Sequence, residues 1–157
     1  MTPNIDERLA SIVRALSEVI LPHLPPEASL AQEQVQLCIG HLQILRGQID
    51  AAPAFEREEL DDAVALANQL ASGITGGSAT GTALASLVST VRDSATATDV
   101  RSACAAVHEA IERVVQAVSI DGDTATKARL SEMILQHEET RSLKDRKWCA
   151  PFGFDTL

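Results

Sequence analysis

Apolar residues recur at helical spacing along this chain, and nowhere do they alternate with period two over a useful length. That pattern predicts helices and no sheet. Six helical segments follow from it. In the first, about residues 5–21, Ile5, Leu9, Ile12, Val13, Leu16, Val19 and Ile20 form one stripe. Pro3, Asp6 and Glu7 suit its start. Pro22, Pro25 and Pro26 end it in an extended corner. The second, about 28–50, sets Val35, Cys38, Leu42, Leu45 and Ile49 on a 3-4-3-4 spacing, and Leu37, Ile39 and Ile44 add a second face. A helix apolar on two faces is either central in its bundle or covered on one side by another chain.

Pro53 opens a third helix, about 53–72, with the stripe Leu60, Val64, Ala67, Leu70 and Ala71. A connector dense in Gly, Ser and Thr spans 73–81. A short fourth helix, about 82–93, carries Leu84, Leu87, Val88 and Val91. The fifth, about 99–119, carries Val100, Cys104, Val107, Ile111, Val114 and Val118. Residues 121–124 read as a turn with a built-in N-cap. The sixth helix, about 125–145, carries Leu130, Met133 and Ile134 and ends in Arg and Lys. Short connections predict antiparallel neighbours. The expected architecture is one all-α domain, an up-and-down bundle of five or six helices over residues 1–147 with an irregular aromatic tail at 148–157.

The tail changes the picture. Three of the four aromatic residues, Trp148, Phe152 and Phe154, fall in the last ten positions, and the fourth is Phe55. Aromatic side chains bury large areas at low entropic cost, so this tail is expected to dock, on its own bundle or on another chain. Arg146 and Lys147 lie beside it, in the only basic cluster of the chain, with Arg141 and Lys144. That cluster matches a helix C-terminus, where cations are favoured, and it also suits an acidic partner or a phosphate group.

With 157 residues, 45% of them hydrophobic and 22% charged, the chain has the composition of a globular domain. Its net charge of −9 counts against nucleic acid and anionic membrane surfaces. No run of eighteen apolar residues is present, so no membrane span is expected, and no signal peptide is legible. Three widely spaced cysteines, Cys38, Cys104 and Cys149, read as reduced thiols in a cytoplasm.

Two constellations carry candidate metal chemistry. Glu56, Glu59 and Asp62 form an E-x-x-E-x-x-D string, and Glu109 and Glu112 a second pair. Carboxylates on facing helices hold Mg²⁺ in all-α nucleotide pyrophosphohydrolases. Acids in a helix's first turns also simply offset its dipole. Cys38 with His41, and Cys104 with His108, each lie on one helical face, and two such helices packed together make a tetrahedral Cys2His2 set. Both cysteines equally fit core positions as small hydrophobes. No Glu-x-x-His pair of the di-iron kind occurs. The Gly73–Gly81 stretch lacks the Lys-Ser/Thr of a P-loop, and no nucleophile elbow is present. No catalytic residue and no cofactor are expected.

Val19-Ile20-Leu21-Pro22-His23-Leu24-Pro25, followed by the helix from Gln32 to Leu45, resembles a group of small helical bacterial proteins of unknown function. Those proteins are encoded beside aminoglycoside-phosphotransferase-like kinases and acyl-CoA dehydrogenases. The resemblance covers residues 9–45, about a quarter of the chain, and lies in a Leu-Pro-x-Leu corner and the helix after it. It implies an accessory subunit that binds a kinase-like enzyme acting on acyl-CoA compounds, and transfers no functional residue. The sequence therefore predicts a non-catalytic, cytoplasmic, oligomeric interaction protein. The alternative is a small metal-dependent hydrolase or ligand-binding bundle built on the carboxylates.

Overall fold

A computed structural model describes residues 4–150. Among them are six α-helices and no strand, an all-α helical bundle. The chain divides into two compact units, the first ending at Ala52 and the second running from Pro53 to Cys149.

The first unit is a helical hairpin. Helix α1 (Ile5–Arg14) starts at a reciprocal cap. The Glu7 amide donates to Asn4 Oδ1 at 2.8 Å, and the Asn4 amide donates to Glu7 Oε2 at 2.9 Å. Two of the four amides left over at a helix start are thereby satisfied. The helix then widens into a π turn, Ala15–Ile20, closed by the Leu21 amide on the Leu16 carbonyl five residues back. A 3₁₀ turn, Leu21–His23, follows. Leu24 is extended, as the residue before a proline must be, and Pro25 and Pro26 turn the chain. Helix α2 (Ser29–Gln48) returns along α1. Arg46 near its end grips Asp6 near the start of α1, with Nε 2.7 Å from Oδ1 and Nη2 3.2 Å from Oδ2. That pairing fixes the two helices as antiparallel neighbours.

The second unit holds the core. It comprises α3 (Ala52–Gly73), α4 (Ser78–Ser94), α5 (Val100–Asp121) and α6 (Thr124–Cys149). Helix α5 is the central element: Ala103, Val107, Ala110, Ile111, Val114, Ala117 and Val118 are all buried. Leu60, Leu66 and Leu70 of α3, Leu87 of α4 and Leu130 of α6 close around it. Helix α2, whose two apolar faces allowed a central position, buries no residue.

Besides the change from α to π geometry after Arg14, two helix ends differ from the sequence expectation. Helix α4 begins at Ser78 rather than Thr82, so the connector shrinks to residues 74–77. The cause is a carboxylate from far along the chain. Asp121, the last residue of α5, accepts the Ala79 amide at 2.7 Å, the Thr80 amide at 3.3 Å and the Thr80 hydroxyl. It caps the first turn of α4 as a local Ser or Asp would. A Cβ on Gly77 would sit 2.6 Å from Asp121 Oδ2, so this close approach needs a glycine. Helix α6 continues past Asp145 to Cys149, which places Trp148 on the helix rather than in an irregular tail.

Candidate functional site

The basic end of α6 and the acidic start of α3 lie against each other. Lys144 Nζ is 2.8 Å from Asp62 Oδ2 and 2.8 Å from Glu59 Oε1, with Glu58 Oε2 farther out at 4.0 Å. One turn back, Arg141 Nε lies 3.6 Å from Glu59 Oε2. That is an ion-pair distance and too long for a hydrogen bond, so the buried Nε has no hydrogen-bond partner. Burial works to lower the Lys144 pKa, but hydrogen bonding to Asp62 and Glu59 outweighs it and the net shift is upward. Lys144 therefore stays charged.

Aromatic contact seals the same end. The Trp148 ring stacks on Phe55, with centroids 4.3 Å apart and planes 22° from parallel. Lys144 Nζ sits 5.0 Å from the Phe55 ring centre, a cation–π distance. Trp148 thus packs against its own chain, within the second unit. Phe152 and Phe154 lie outside the described residues. Lys147 is exposed on α6, as is Arg146.

The carboxylates proposed as metal ligands are distributed among other partners. Glu59 and Asp62 share Lys144, Glu56 pairs with Arg101, Glu109 faces Arg113 at 4.0 Å, and Glu112 accepts from Gln116 at 3.0 Å. A divalent cation at Glu59 and Asp62 would have to displace Lys144. Cys38 and His41 belong to the first unit, Cys104 and His108 to the second. Burial, with the nearby Glu59 charge, pushes the Cys104 thiol up. Burial, with the nearby Arg141 charge, pushes His108 down. A raised thiol pKa disfavours the thiolate that binds metal. Among the described residues no three His, Cys, Asp or Glu side chains are grouped to hold a metal ion.

Two shallow clefts flank Arg141. One, of about 240 Å³, is lined by Asp62, Leu66, Gln69, Met133 and His137. The other, of about 290 Å³, is lined by Leu66, His108, Ile111, Val115 and Ile134. Both fall below the usual ~300–1,000 Å³ of ligand pockets.

The first unit offers a different surface. Among its described residues none is buried, and it exposes Ile5, Ile12, Val19 and Ile20 from the α1 end and Leu30, Leu37 and Leu45 from α2. Single exposed aliphatics are ordinary on any surface, but seven on a two-helix unit are not. Compared with known protein families, curated proteins and solved structures, the chain has no significant match.

The sequence marked Glu59 and Asp62 in an acidic string, Arg141 and Lys144 in a basic cluster, and Trp148 in the aromatic tail. It did not show that they meet. Two residues were missed as participants: Phe55, whose signal was its standing as the one aromatic outside the C-terminal segment, and Asp121, whose position before Gly122 suggested only a local turn.

Proposed function

We propose that this chain is a non-catalytic interaction protein, an accessory subunit of a cytoplasmic enzyme, working through the α1–α2 hairpin. The observation that carries this reading is the contrast between the two units. The second closes its own core, whereas the first, among its described residues, exposes seven large aliphatics and buries none. Such a surface is stabilised when another protein covers it. The ion pairs of Lys144 supply a second support: they hold the acidic string and the basic helix end in a structural role. The resemblance of residues 9–45, which lie in this hairpin, makes the partner a phosphotransferase-like enzyme acting on acyl-CoA compounds.

The test is affinity purification of the tagged chain from its native cells, followed by native mass spectrometry. The expected result is a stoichiometric complex with an enzyme subunit, lost in the Ile12→Glu/Leu37→Glu double variant. Recovery without such an enzyme, carrying a divalent ion that Glu59→Gln removes, would overturn the reading in favour of a metal-dependent hydrolase.

A further inference from the structure

We infer that the first occupant of the α1–α2 hairpin is a second copy of this chain, two hairpins packing together into a four-helix assembly. This rests on the reading of the hairpin as an interaction surface and names its partner; the enzyme then meets paired hairpins rather than a lone one.

The spacing of the exposed residues is the first argument. Ile5 and Ile12 lie seven residues apart on α1, and Leu30 and Leu37 seven apart on α2, with Leu45 eight further on. A seven-residue repeat is the seam by which one helix packs along another. A seam on each helix of a hairpin also suits twofold pairing, in which the same patch appears on both sides of the interface.

Area is the second argument. Exposure reaches 69% at Leu30 and 62% at Ile5. The seven exposed aliphatics together present on the order of 600–700 Å² per copy, close to the ~800 Å² per partner of a stable interface. Two helices alone do not enclose a core, whereas four do.

Charge is the third. Two copies of a chain at −9 repel each other over most of their surfaces. Helix α2 is one of two weakly charged helices, with α4. Across Ser29–Gln48 it carries one acid, Glu33, and one base, Arg46, and Arg46 is engaged by Asp6. Gln34, Cys38, His41 and Gln48 fill the positions around its exposed leucines. Depletion of charge at the centre of a surface is the compositional mark of an interface.

Sedimentation equilibrium of the purified full-length chain from about 1 to 100 μM tests this, alongside hydrogen exchange at both ends of that range. A dimer is expected, with amides of α1 and α2 more protected at the higher concentration. Leu37→Glu and Ile12→Glu are each expected to weaken it by roughly a hundredfold or more, because a charge is forced into an apolar seam. Leu135→Glu, at a position 64% exposed in the second unit, is expected to leave it unchanged. A monomer at 100 μM overturns the inference, as does a dimer indifferent to Leu37→Glu or equally weakened by Leu135→Glu. Hydrogen exchange on the unaltered chain keeps the test decisive if a variant misfolds. Protection of α1 and α2 that does not change with concentration means the same chain covers the face, and also overturns it. A monomer that still captures an enzyme removes the pairing alone, while a dimer that captures nothing removes the accessory-subunit reading alone.

Discussion

Single residues hold the second unit at two points far apart in sequence. Asp121 is the clearer case. Its hydrogen bonds, from the Thr80 hydroxyl first and then from the Ala79 and Thr80 amides, hold its carboxyl below the usual aspartate range. A depressed pKa adds stability that is complete above the unfolded value, about 3.9, and is lost as pH falls through the folded one. The Asp121→Asn variant should therefore melt lower than the parent at pH 7, and the gap should narrow as the pH falls below the unfolded value. Thermal melts followed by circular dichroism across that range would show it. At the other point, Phe55→Ala should shift emission of the single tryptophan, Trp148, to the red, since its stacking partner is gone. Replacing Lys144 by Met should destabilise by about 1–3 kcal/mol, because it leaves the Glu59 carboxylate, 18% exposed, with only its longer ion pair to Arg141. Adding Glu59→Gln should recover part of that loss in a double-mutant cycle. None of these pairings was legible from sequence. Lys144 and Asp62 are 82 positions apart, and no local pattern encodes a contact at that distance.

At the level of elements, the sequence was far more informative. All six helices were legible, because each carries an apolar stripe at the helical period and is bounded by Pro, Gly or Asp. The two boundaries that moved did so for tertiary reasons. Asp121 extends α4 at its start, and the Phe55–Trp148 stack lies against the last turn of α6. The central helix was also not readable from periodicity. Helix α2 has two apolar faces and buries nothing, whereas α5, with one stripe, is the hub, where alanines at 103, 110 and 117 are buried and α4 approaches closely. Truncation should report this difference. Leu70→Ala and Leu87→Ala, both fully buried, should each cost about 2–5 kcal/mol in chemical denaturation. Leu135→Ala should stay within about 0.5 kcal/mol.

The whole molecule is organised as two units with unequal means of support. A stripe in the sequence shows that a helix must pack, but not against which partner, so the division at residue 52 was invisible beforehand. It predicts that a fragment from Pro53 to the C-terminus will unfold cooperatively on its own, since it contains every buried residue of the core cluster. Differential scanning calorimetry of that fragment would check it. The π turn at Ala15–Ile20 bears on how this chain tolerates changes in length. A π turn takes up one residue more than an α turn, so the first helix carries slack. Deleting Ala15 should be absorbed by tightening that turn, with helicity retained. Deleting Gln116 from α5 offers no such refuge. Everything beyond it would rotate by about 100° relative to the residues before it, swinging Val118 out of the core while Val107 stays in place. Single-residue deletions along this chain should thus be survivable near one proline corner and lethal to the fold in the central helix.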